Sequence, residues 1–324
     1  MAAVPVPVIE SLAIEDIDAM AGAIADGLCA EYVQLESRRF TGRWTVARLP
    51  HMVLQKGRED IAIVRRMRAA AGVWSFIVPM AVGDAARWDA RPVALDDLLI
   101  CAPCAECYAF DPAGTEFAVV SVGERHPVAA AARPLLAPGD RSAMIMQRGR
   151  EARTLRQHLA DLLRTDDAYD RTICRFDGSA SATVSIDLDH SLRSGRPAAR
   201  QSEASLARRH VVARAEAFFR CHLGEPISIA RVSSVAGVSE RSLRNAFYDV
   251  YTTSPKRYLR LWQLHRVRHA LRACTGPADT VTDVATLHGF FELGRFAGEY
   301  KALFGEAPSQ TLQKARATEI DTLL

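Results

Sequence analysis

The sequence predicts an α+β chain: a β-rich N-terminal part, then an all-α part in which two helix-turn-helix units are joined by a long helix. Three observations predict it. Residues 30–135 contain short apolar runs rich in β-branched and aromatic side chains and punctuated by Gly or Pro. Near the C-terminus a helix-pair pattern recurs at an offset of 52 to 53 residues. Charge is also unevenly placed: residues 201–324 carry 17 basic and 12 acidic groups, while the preceding 200 carry 24 and 26. The net charge of +3 therefore hides a basic field that belongs to the C-terminal part.

At 324 residues and 49% hydrophobic content, the chain is long enough for about two domains with their own cores. Residues 1–7, MAAVPVP, lack the basic segment and long apolar run of an export signal, and no stretch of 18 apolar residues occurs anywhere. Seven unevenly spread cysteines argue for a reducing compartment. The expectation is a cytoplasmic protein with no membrane partner.

Residues 1–140 read as the β-rich domain, with strands expected at 44–49, 61–64, 74–82, 98–101 and 117–122. Cys101, Cys104 and Cys107 follow one another at Cys-x2-Cys-x2-Cys spacing. Three thiolates so placed suit a soft metal ion or a reversible disulfide; the plainer reading is three small residues at a strand end and its turn. His51 and His126 stand without the histidine and carboxylate partners of a metal-dependent barrel enzyme. With no nucleophile elbow and no phosphate-binding glycine loop, no enzyme activity and no cofactor are expected.

Residues 141–190 read as helical. Leu155, Leu159, Leu162 and Leu163 form a stripe that suits either intramolecular core or a dimer seam. Residues 191–205 are small and polar, as a linker is.

The all-α domain is placed at 206–318, with helix-turn-helix units at 229–250 and 281–304. In the first copy Val232 and Ser233 precede Gly237 and Val238, followed by Leu243, Phe247, Pro255 and Leu259. In the second, Val284 and Ala285 precede Gly289 and Phe290, followed by Phe296, Tyr300, Pro308 and Leu312. The second turn is one residue longer. Two helices that cross steeply need a small residue at the crossing and a turn residue that tolerates positive φ, which explains Ser233 with Gly237 and Ala285 with Gly289. Ser239 is placed to cap the second helix of the first copy. Between the copies, Pro255 to about Ala273 shows helical spacing of Tyr258, Leu261, Trp262, Leu264, Val267 and Leu271 behind a proline at a first helical position.

From Arg241 to Arg272 eight basic residues face one acid, Asp249. Such a run is a solvated helix face or a surface for nucleic-acid phosphates, and its start on the second helix of the first copy favours the latter. Arg241, Arg244 and Asn245 are the expected base readers of the first copy, since Arg suits guanine O6/N7 and Asn suits adenine N6/N7. Arg295 is the expected reader of the second. Ser239, Ser242, Lys256, Arg257 and Lys301 are expected on the phosphate backbone. A phosphate contact or a surface ion pair is the plain alternative for Arg244 and Arg295.

Over roughly residues 205–315 the chain resembles the AraC/XylS family of bacterial transcription regulators. The most specific stretch runs through Gly289, Phe290, Phe296, Tyr300, Lys301, Phe304, Gly305, Pro308 and Ser309. The run GFFELGRFAGEYKALFGEAPSQTL is similar to the branch containing the ethanolamine-utilisation regulator. Gly294 and Gly298 stand where the family's block carries a small polar residue and an arginine, which leaves Arg295 as the strong base-reading side chain there. The resemblance implies a sequence-specific, effector-responsive activator with a cupin-like effector-binding barrel upstream. It also implies double-stranded DNA and RNA polymerase as partners, an unidentified small-molecule effector, and a homodimer. A thiol- or metal-sensing regulator using Cys101, Cys104 and Cys107 is the alternative.

Overall fold

The computed structural model describes residues 9–23, 27–136, 144–147, 150–164, 179–197, 203–274 and 279–323. It divides into two compact units: Met1–Tyr32 with Thr41–Ser202, and Val33–Phe40 with Glu203–Leu324.

The first unit is built on strands β1 (Ile9–Ile14), β2 (Leu28–Gln34, but for its last two residues), β3 (Gly42–Leu49), β4 (Met52–Glu59), β5 (Ile63–Ala69), β6 (Val73–Ala81), β7 (Arg87–Trp88), β8 (Arg91–Pro92), β9 (Asp97–Cys101), β10 (Glu106–Asp111), β11 (Glu116–Gly123), β12 (Met144–Gln147) and β13 (Arg196–Pro197). They form an eight-stranded sheet in the order β1-β3-β4-β11-β6-β9-β12-β13 and a five-stranded one in the order β2-β5-β10-β7-β8. Register is pinned where Gly57 of β4 faces Trp44 of β3. A Cβ on Gly57 would come within 2.1 Å of the Trp44 ring, so only glycine leaves room for the indole.

Among the first unit's helices are α1 (Ile17–Ala23), α2 (Pro127–Ala132), α3 (Arg150–Leu162) and α4 (Ala180–Ser194). The leucine stripe resolves as core: Leu155, Leu159 and Leu163 join Val184, Leu188 and Leu192 of α4 against Trp74, Phe76, Leu98, Ile100 and Val120 of the larger sheet. His158 and Asp187 tie α3 to α4 at 2.6 Å. The linker expected at 191–205 is shorter than its composition suggests. Ser191 and Leu192 are buried in the last turn of α4, and Arg196 and Pro197 pair with β12, so packing and pairing override the polar composition. Residues 198–202 of that stretch, and 141–143, 148–149 and 165–178 of the expected helical segment, lie outside the described residues.

A charged cluster is buried among strands of both sheets. Arg65 of β5 pairs with Asp111 of β10 and, at 3.3 Å, with Glu59 of β4, and stacks 4.1 Å above the Phe117 ring of β11.

The second unit contains α5 (Glu203–Cys221), α6 (Ile229–Ala236), α7 (Glu240–Tyr251), α8 (Pro255–Ala273), α9 (Val281–Leu287), α10 (Leu293–Phe304) and α11 (Pro308–Leu323). The central helix α8 serves two aromatic cores. Its first half sends Tyr258 and Trp262 to Phe219, and Tyr258 also meets Phe247 and Tyr251. Its second half sends Leu264, Val267 and Leu271 to Phe290, Phe296, Tyr300 and Phe304. This division explains why the sequence pattern repeats on either side of one long helix. The segment Val33–Phe40 also belongs to this unit: Gln34 donates its backbone N–H to His265 Nε2 at 3.0 Å and its side-chain amide to the Leu303 carbonyl at 2.6 Å. The expected β-rich domain at 1–140 is thus interrupted at these eight residues.

Candidate nucleic-acid interface

The first helix pair is closed by local chemistry at each end. Ser228 caps α6 by accepting from the Arg231 N–H. Gly237 ends it at φ +68°, a left-handed conformation that disfavours a side chain. Ser239 caps α7, its Oγ accepting from the Ser242 N–H at 3.1 Å, so that hydroxyl already has a structural task. On α7, Leu243, Ala246, Phe247, Val250 and Tyr251 are buried. Arg241, Ser242, Arg244, Asn245 and Tyr248 are exposed. The stripe formed by 241, 244, 245 and 248 has the spacing of one helix face.

Neither Arg241 nor Arg244 has an ion-pair partner among the described residues. The acid in the run, Asp249, is instead taken by Arg208 of α5 at 3.0 Å. Tyr248, about half exposed on the same stripe, was missed in the sequence, although its position seven residues after Arg241 is the signal that finds it.

Beneath this face Glu216 of α5 is buried and accepts hydrogen bonds from the hydroxyls of Tyr251 and Tyr258, joining α5, α7 and α8. No sequence pattern marked it. A serine again starts the next helix: Ser254 caps α8 by accepting from the Arg257 N–H. Lys256 and Arg257 are exposed in the first turn of α8, and Arg257 donates to the Leu35 carbonyl at 2.7 Å.

The second helix pair differs. Thr280 caps α9 by accepting from the Asp283 N–H, and Gly289, at φ +84°, makes the turn. Phe296, Tyr300, Leu303 and Phe304 hold α10 on its core. Lys301 is exposed on α10. Arg295 is exposed too, but its Nε donates to Glu299 at 2.9 Å and its guanidinium lies 4.0 Å from Glu292. Burial raises the Glu299 carboxyl, yet hydrogen bonds from Arg260 and Arg295 outweigh it and hold its pKa below the ordinary value. The same pairing pushes the Arg295 guanidinium up. Gly294 and Gly298 have open space where a Cβ would stand.

In the first unit the cysteines do not converge. Cys101 ends β9 in one sheet and Cys107 lies on β10 in the other, both buried, while Cys104 occupies the turn between them at φ +63°. Among the described residues no group of three His, Cys, Asp or Glu could hold a metal ion. Among the same residues no helix is long and apolar enough to cross a membrane.

Comparison with known proteins places residues 232–314 in a family of helix-turn-helix domains. The chain is 36% identical over 96 residues to a probable thc operon regulatory protein of Rhodococcus erythropolis, covering 30% of this chain and 29% of that one. It is 36% identical over 105 residues to XylDLEGF operon transcriptional activator 2 of Pseudomonas putida, covering 32% of this chain and 67% of that one. A solved structure of a probable AraC family transcriptional regulator from Rhodopseudomonas palustris is 34% identical, covering 33% of this chain and 97% of that one, with a TM-score of 0.30. The chain spans only about three tenths of the length of the first curated relatives it matches. Because the helix-turn-helix family match runs from within α6 into α11, and the chain is 36% identical to a relative of which it covers 67%, the chain belongs to the AraC/XylS family of transcription regulators.

Proposed function

We propose that this chain is a sequence-specific DNA-binding transcription regulator, an effector-responsive activator whose two helix-turn-helix units enter adjacent major grooves of one duplex. The observation that carries the reading is the pair of similar helix pairs on either side of α8, the first with Arg241, Arg244 and Asn245 on an exposed face. The 19 residues of α8 span about 28 Å at ~1.5 Å per residue. One helical repeat of DNA is ~34 Å, and bending of the duplex supplies the difference. Arg241, Arg244 and Asn245 read bases, while Ser242, Lys256, Arg257, Arg295 and Lys301 seat the protein on phosphates. Ser239 contributes through the α7 N-terminus that it caps. The first helix pair supplies most of the sequence discrimination.

In this reading the two-sheet unit is a cupin-like receiver for a small-molecule effector, RNA polymerase is the downstream partner, and the protein acts as a homodimer. Likeness of the signature block to the ethanolamine-utilisation branch makes ethanolamine the first compound to screen by thermal shift. The DNA reading is tested by a gel-shift titration of the full chain against its own upstream region and against random duplex. Preference for the former by at least a thousandfold is expected at physiological salt, and equal affinity for the two would overturn it.

A further inference from the structure

The two reading helices are related by the internal repeat, and the register of that repeat says which positions of α10 correspond to the reading face of α7. Leu243 and Phe247 match Phe296 and Tyr300 at an offset of 53, and all four are buried. The same offset sets Arg241 against Gly294, Arg244 against Ala297, Asn245 against Gly298 and Ser242 against Arg295. Arg295 therefore occupies the place of a flanking serine, and Glu299 and Glu292 hold it there. Where α7 presents two guanidiniums and an amide, α10 presents two glycines and an alanine, all exposed, and both glycines have open space above them. Apolar side chains border this bare strip at the helix start: Phe291 is 59% exposed and Leu293 36%.

We propose that α10 reads DNA by apolar contact, its glycine and alanine face seating the helix backbone deep in the major groove with Ala297, Phe291 and Leu293 against the 5-methyl groups of thymines. The inference rests on the DNA-binding reading above and assigns chemistry to its second half. Of the two kinds of base pair only A·T presents this apolar methyl group in the major groove, and alanine and phenylalanine are side chains suited to it. The absence of a Cβ at 294 and 298 lets the helix axis approach the base edges more closely than α7 can. Lys301, which the same offset sets against Tyr248, closes the far end of the strip, and Arg295 flanks it; both serve as phosphate contacts. The two half-sites consequently differ in kind: one carries guanine and adenine determinants, the other is marked by thymines.

The test begins with selection of preferred sites from a random duplex pool by the full chain. Deoxyuridine then replaces thymidine in either half of the selected site, which removes only the methyl groups. Substitution in the half bound by α10 is expected to weaken binding about fourfold for each methyl buried, with little effect in the half bound by α7. Gly294→Arg and Gly298→Asn together, at positions with room for side chains, are expected to shift the preference of that half from thymine towards guanine and adenine. Arg295→Ala is expected to lower affinity with the base preference unchanged. Tolerance of deoxyuridine in both halves, or a changed base preference in Arg295→Ala, would overturn the proposal while leaving DNA binding intact. If no site is enriched from the pool, the regulatory reading fails and this one with it.

Discussion

At Arg244 a single guanidinium faces outward from a helix whose other face is locked by Leu243 and Phe247, so under the proposed function its removal is expected to act on DNA recognition and not on folding. Arg244→Ala is expected to reduce discrimination between the selected site and random duplex by about 1–3 kcal/mol, read by competition gel shift, with the thermal midpoint unchanged. The opposite case is Arg65, buried with Glu59 and Asp111. Removing it by Arg65→Met leaves carboxyls without their cation and should destabilise the protein by about 3–5 kcal/mol, measured by urea unfolding. Burial pushes the Glu59 carboxyl up from 4.5 to about 8 against the pull of Arg65. The folded state therefore keeps a proton that the unfolded chain releases between those values. The stability linked to it is complete below 4.5 and is lost as pH rises through about 8. Glu59→Gln should flatten this decline, which amounts to at most about 1.4 kcal/mol per pH unit, in unfolding midpoints compared from pH 5 to pH 9.

Helices show a division between what they do for their own stability and what they do for a partner. Gly294 and Gly298 weaken α10 by about 1 kcal/mol each relative to alanine, and neither glycine is demanded by packing, since nothing lies within 4 Å of a Cβ at either position. Gly298→Ala should therefore raise the thermal midpoint while lowering affinity for the selected DNA site. A rise in both would show that the glycines have no role in approach. The leucines of α3 and α4 argue the reverse way, because they are filled core. Leu159, fully buried, should cost about 2–5 kcal/mol when changed to alanine without altering the oligomeric state seen by light scattering. These elements were legible in the sequence in proportion to how local their cause is. The serine cap at Ser239, the turn glycines and the 19-residue span of α8 follow from neighbours three or four residues apart. The ends of α4 did not: Ser191 and Leu192 look like linker residues until the sheet they pack against is in place.

For the molecule as a whole, the proposed DNA binding through the basic C-terminal part is expected to be governed by counterion release. If about six of the exposed cations meet phosphates, log affinity should fall with log salt at a slope of roughly −5. A slope near zero in a titration at several salt concentrations would place the charges elsewhere. The sequence by itself determined the helix pairs, the long helix between them, the basic field and the main strands, because periodicity, capping and turn chemistry act over a few residues. Only the tertiary structure decided that Val33–Phe40 packs with the helical unit, that Glu216 is clasped by two tyrosines, that Arg65 is buried between two carboxyl groups and that Glu299 restrains Arg295. Gln34 and His265 are 231 residues apart, and a contact over such a separation leaves no mark in local composition. Even Arg295 and Glu299, one turn apart, reveal their role only when Arg260 closes on the same carboxylate from α8.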